Sequence, residues 1–191
     1  MNAISQMITQ QLTGAASNQI ASRLGISPST ANTAVQVAVP LILAALARNA
    51  AQPQGAQELH QAVATDHDGS ILDNLMGYLG NPQAANGAGI LGHVLGPQRG
   101  AVENNLAQAA GMDPGAAGNL MEIVAPVVMG ALGRTQQQTG LDSSGLAQYL
   151  GQQQQELADP GMMGMLNSML DSNKDGSVTD DLARIAGNFF K

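Results

Sequence analysis

Two stretches decide how this chain folds: GISPSTANTAVQVAVPLILAALAR at 25–48 and GMDPGAAGNLMEIVAPVVMGALGR at 111–134. Laid over each other at a constant spacing of 86 positions, they share Gly25/Gly111, Pro28/Pro114, Ala31/Ala117, Pro40/Pro126, Ala45/Ala131, Leu46/Leu132 and Arg48/Arg134. Most other pairs exchange one apolar residue for another. The match extends upstream through Gly14/Gly100, Ala15/Ala101, Asn18/Asn104 and Ala21/Ala107. A gap-free match with both prolines in register reads as an internal repeat.

Each stretch carries helix signals. Ser27-Pro28 and Asp113-Pro114 place an N-cap residue before a proline at the first helical position, where its missing N–H costs nothing. Arg48 and Arg134 are expected to close the helices, a cation meeting the negative end of the dipole. Pro40 and Pro126 each remove one interior donor and are expected to kink their helix. Both stretches are apolar nearly all round, so they belong in the buried centre. No strand-like alternation stands out elsewhere. The expectation is an all-α fold in which duplicated halves, 1–95 and 96–191, pack as one pseudo-symmetric bundle around proline-kinked central helices. Each half alone is small for an independent core.

A second repeat follows at a different spacing. HDGSILDNL at 67–75 resembles KDGSVTDDL at 174–182. The wider separation places an insertion in the second half, at the Gln-rich stretch around Gly151 to Glu156.

Composition narrows the function. Of 191 residues, 44% are apolar and only 11% charged, with two Tyr, two Phe and no Trp, so a core must be filled by aliphatic side chains and ten Met. A net charge of −7 leaves no phosphate-neutralising surface, and the shortage of rings removes stacking platforms for single strands. Nucleic acid is therefore an unfavourable partner. With no Cys there are no disulfides, thiolate nucleophiles or Cys-zinc sites. Met1 to Met7 lack the basic start and apolar region of a secretory leader, and cytoplasmic residence is the default. The longest apolar run, Ala34 to Ala47, is broken by Gln36 and falls short of the ~20 residues of a membrane span.

HDGSILDNL at 67–75, followed by GILGHVLG at 89–96 and accompanied by the proline-centred VAVPLILAAL and VAPVVMGAL, resembles the signature of domain-of-unknown-function family 937. These are bacterial, YidB-like, all-helical proteins. The resemblance spans most of the chain. It implies a fold and no activity, and it transfers no catalytic or binding residue.

The best candidate for chemistry is the loop Asp171-Ser-Asn173-Lys-Asp175-Gly176-Ser177-Val178-Thr179-Asp180-Asp181-Leu182. Oxygen ligands at positions 1, 3 and 5, glycine at 6 and an apolar residue at 8 match the first part of an EF-hand calcium loop. Alternate side chains converge on one ion, and Gly176 permits the turn that brings the Ser177 carbonyl inward. Position 12 is Leu182 rather than Glu, so Asp181 or Asp180 must supply the closing carboxylate. Calcium is the cofactor implied by Asp171, Asn173, Asp175, Ser177 and Asp181 or Asp180. A competing reading is a helix cap: Ser177-Val-Thr-Asp180 and Ser70-Ile-Leu-Asp73 both fit a capping box.

Other motifs are weaker. Gly87-Ala-Gly89-Ile-Leu-Gly92 has the glycine spacing of a dinucleotide loop but follows no strand, so close helix packing is expected. Ile20 to Thr30 reads like the corner of a helix-turn-helix, but its second helix is too apolar to enter a groove. His60, His67 and His93 are too scattered for a zinc site, although His60 and His67 with Asp66 or Asp68 are within sequence reach. Met162, Met163, Met165 and Met169 serve better as gap-fillers than as a groove. Nothing assembles a nucleophile and base, so an enzyme is not expected. The sequence favours a helical binding or scaffold protein with a protein partner or self-association. The alternative is a helix-turn-helix-derived regulator associated with nucleic acid.

Overall fold

A computed structural model describes residues 3–157, and side chains within 4–153. Among the described residues ten α-helices run in order: α1 (Ala3–Leu12), α2 (Ala15–Leu24), α3 (Pro28–Ala50), α4 (Pro53–Thr65), α5 (Ser70–Asp73), α6 (Leu75–Gly80), α7 (Gly87–Leu95), α8 (Arg99–Ala110), α9 (Pro114–Thr139) and α10 (Ser143–Leu157). Single 3₁₀ turns at Pro82–Ala85 and Gly96–Gln98 flank α7. There is no strand among the described residues, and the fold is all-α.

The two stretches that open the sequence analysis become α3 and α9, which pack against each other at the centre. Helices α7, α8 and α4 close on α9, while α1, α2, α4 and α8 cover α3. Ala31, Ala34, Val35, Ala38, Val39 and Ile42 are buried on α3. On α9, burial is nearly continuous from Leu120 to Gly133. Both helices are long and apolar enough to cross a membrane by length and composition alone, at mean hydropathies of 1.6 and 1.4. Their most apolar windows are 56% and 78% buried inside the protein. Among the described residues no ring is fully buried in the core, although Tyr78 and Tyr149 pack against it; Ala lets helices approach closely, and Met121 and Met129 fill what remains.

The corners that lead into α3 and α9 have the same local geometry. Helices α2 and α8 end at Gly25 and Gly111, both left-handed, with φ of 67° and 64°. The following residues, Ile26 and Met112, donate their N–H back to Ala21 O and Ala107 O at 3.0 and 2.9 Å. Those bonds satisfy carbonyls that a helix end would otherwise leave open. Ser27 then accepts from the Thr30 N–H at 3.1 Å, and Asp113 from the Gly115 N–H at 2.8 Å. Pro28 and Pro114 stand at the helix starts, as the sequence predicts. The helix-turn-helix-like corner therefore feeds directly into buried α3.

The two helices finish differently. Arg48 lies in the last turn of α3, as expected. Helix α9 continues past Arg134 to Thr139 and is capped by left-handed Gly140, so Arg134 does not close it. The Gln-rich stretch around Gly151 to Glu156 lies within α10.

Candidate functional site

The first D-G-S turn is seated on α9. Helix α4 ends at Thr65, and the chain passes through Asp66, His67 and Asp68 to Gly69, whose φ is +90°. That backbone region costs glycine little and other residues more. A side chain at Gly69 would also collide with Arg134, its Cβ lying 2.9 Å from the Arg134 Cβ. The approach is mutual. A Cβ on Gly133 would run into the His67 carbonyl, and one on Gly130 into the Ile71 side chain. Two glycines one turn apart on α9 therefore form a bare strip on which residues 67–71 lie against the helix.

Arg134 fastens the turn. Its Nη2 donates to the Gly69 carbonyl at 2.9 Å and to Asp73 Oδ1 at 2.6 Å. The guanidinium side chain is 31% exposed and the carboxylate 72% exposed, so solvent screens the charge pair and the carbonyl bond carries much of the geometry. The capping-box expectation for Ser70 and Asp73 is corrected here. Gly69, not Ser70, is the N-cap of α5, and no side chain caps it. Asp68 Oδ1 instead accepts the Ser70 N–H at 3.0 Å, and Asp73 faces Arg134. What looked like a cap is a turn that holds a cation.

Titratable groups around the turn follow their surroundings. Hydrogen bonds from Ser70 hold the Asp68 carboxyl below its usual range. Burial pushes the His67 imidazole down, more than Asp66 and Asp68 raise it. Tyr78 donates its hydroxyl to the Ile123 carbonyl at 2.8 Å, and burial drives its phenol well up.

Beside the turn lies an open cleft of about 800 Å³, lined by residues that include Asp66, Asp68, Asn74, Asn81 and Asn86. The three asparagines stand at the starts of α6, the 82–85 turn and α7, and none caps its element with its side chain. Asn86 is the one described residue other than glycine with positive φ, at 51°. Its amide lies over Gly89 and that of Asn74 over Gly77, in space a Cβ would fill. Asn86 also borders two smaller hollows, of about 450 and 240 Å³.

The remaining motifs resolve simply. Gly87 meets the main chain of Glu122 on α9, so the glycine-rich string serves close helix packing. Arg99 reaches Glu103 at 2.6 Å, Glu122 at 2.5 Å and the Ala88 carbonyl at 3.2 Å, tying α7, α8 and α9 together. Only its i, i+4 partner Glu103 was readable from sequence spacing. His93 pairs with Glu58 at 3.1 Å. His60 and His67 join no metal group: among the described residues no three His, Asp or Glu side chains are arranged to hold one. The candidate ligands Asp171, Asn173, Asp175, Ser177, Asp180 and Asp181 lie outside the described residues.

No curated protein and no solved structure matches the chain. The family described as "Bacterial protein of unknown function (DUF937)" matches residues 6–136, from α1 to just beyond Arg134. That match takes in both sides of the arginine clamp and stops short of the 171–182 loop. The protein therefore belongs to the DUF937 family, and its clamped D-G-S turn lies within the part of the chain that the family defines.

Proposed function

We propose that this is a non-enzymatic helical binding or scaffold protein whose 171–182 loop takes calcium. Asp171, Asn173 and Asp175 supply side-chain oxygens, Ser177 a carbonyl, and Asp181 or Asp180 the closing carboxylate. The observation that supports this reading is the behaviour of the first D-G-S-x-x-D turn. It presents one main-chain carbonyl, from Gly69, and one carboxylate, from Asp73, to a single cationic group. EF-hand loops hold calcium with the same two kinds of oxygen. The second copy keeps the D-G-S-x-x-D string and has Asp171 where the first has Ala64, while Asn173 stands where the first has Asp66. Asp171 is thus the one oxygen ligand that the second copy gains. The partner is a protein or a second copy. A nucleic-acid role gains no support, because the second helix of the Ile20–Thr30 corner is the buried α3.

Thermal unfolding in EDTA, followed by titration with calcium and separately with magnesium, tests the metal. Calcium at a hundred times its Kd stabilises by about 2.7 kcal/mol, a shift of a few degrees for a chain of this size. The rise is expected with calcium and lost in Asp171→Ala. An unchanged melting temperature at millimolar calcium would reduce the loop to a helix cap.

A further inference from the structure

The chain holds one Asn-Gly pair, Asn86-Gly87, and it stands at the start of α7. Asparagine is thermally labile, and most so before glycine, which has no side chain to hinder the attack of its nitrogen on the carboxamide. In that reaction the Gly87 nitrogen gives up its proton and bonds to the Asn86 Cγ, and ammonia leaves. Water then opens the five-membered ring at either carbonyl. One opening gives aspartate. The other gives isoaspartate, in which the main chain runs through the former side chain and is one carbon longer. Asn86 is exposed, so water reaches it.

The backbone of the folded protein blocks the first step. Asn86 has φ 51° and ψ 41°. For an L-residue, ring closure needs the next nitrogen on the same side of the Cα–C bond as Cβ. At this ψ the Gly87 nitrogen lies nearly opposite, and the Asn86 carbonyl oxygen takes the place beside Cβ. Rotating the side chain alone does not close the gap; the Cα–C bond itself must swing through almost half a turn. Three contacts oppose that swing. The Asn86 carbonyl accepts the Ile90 N–H at 3.2 Å, the bond that begins α7. Gly87 is buried on α9, where a Cβ would overlap the Glu122 carbonyl. The Ala88 carbonyl accepts from Arg99 Nη1 at 3.2 Å. Leu91, one turn on, is fully buried in the helix pair α7 and α9. Swinging the bond therefore means lifting the first turn of α7 off α9, a local opening distinct from global unfolding.

We propose that Asn86 is a latent deamidation site, closed by the seat of α7 on α9 and reactive only when that seat opens. Isoaspartate lengthens the main chain beside Gly87, where not even a Cβ has room, so an opened chain that reacts does not reseat in the same way. The test follows deamidation of Asn86 by mass spectrometry, as a gain of one mass unit assigned by fragmentation. The full chain is compared with the free peptide Gln-Ala-Ala-Asn-Gly-Ala-Gly, residues 83–89, in the same mildly alkaline buffer. The folded chain is expected to react at least about tenfold more slowly than the peptide. Leu91→Ala, confirmed as folded by circular dichroism, loosens α7 without touching the pair and should recover part of the peptide's rate. Deamidation of the folded chain at the peptide's rate overturns the proposal. So does a protected rate that stays unchanged in folded Leu91→Ala, because the seat of α7 would then not be what closes the site.

Discussion

Helices α3 and α9 begin alike and end in different company. Both follow a left-handed glycine, an oxygen cap and a proline. Toward their C-terminal ends, α3 carries Ala44, Ala47 and Arg48, where α9 carries Gly130, Gly133 and Arg134. Removing two methyl groups from the helix surface lets the D-G-S turn reach the backbone of α9, and the arginine then has a carbonyl and a carboxylate to hold. Arg48, beside alanines, donates to the Gln98 side chain instead. The same residue at the same repeat position thus does two jobs, and the neighbouring small residues decide which.

The largest effect should come from filling the strip. Gly133→Val drives a branched side chain into the His67 carbonyl, which is main chain and cannot swing aside. Overpacking of this kind costs about 1–3 kcal/mol, and collision with backbone puts the expected loss near the top of that range. Urea unfolding of the variant measures it. A loss below about 0.5 kcal/mol would mean that the turn is not seated on α9.

The next contrast separates the two arginines. Arg134→Met removes the donor to Gly69 O and Asp73 Oδ1, and should cost about 1–2 kcal/mol. Arg48→Met removes an exposed bond to one glutamine and should cost less than about 0.5 kcal/mol. Equal losses in parallel urea titrations would break the comparison.

The legible part of this fold was its centre. Long apolar stretches opened by oxygen caps and prolines leave little choice but buried helices, and the corners formed as their residues required. The clamp was not legible in the same way. Capping and dipole rules are local, and they assigned Ser70 and Asp73 to a helix start and Arg134 to a helix end. Arg134 instead finds Gly69 and Asp73 more than sixty residues back along the chain, a pairing with no period to read. The available signal was the change from Ala44 and Ala47 to Gly130 and Gly133 beside a retained arginine.

A smaller effect follows from His67, whose carbonyl lies on the Gly133 strip and whose imidazole is half-buried. Burial lowers its pKa in the folded protein below its ordinary value, more than neighbouring Asp66 and Asp68 raise it. The neutral ring is therefore favoured on folding. Its contribution is fully present above the unfolded value and is lost as pH falls from there through the lower folded value. Stability measured in urea from pH 8 to 5 should therefore decline for the wild type, and His67→Gln should flatten that part of the curve. Asp68 does not confuse the reading, because its depressed pKa moves stability only at lower pH, near and below the ordinary carboxylate range. If the slope between pH 7 and 5 survived His67→Gln unchanged, protonation elsewhere would be responsible, and the seat of the turn on α9 would not be sensitive to charge at its first residue.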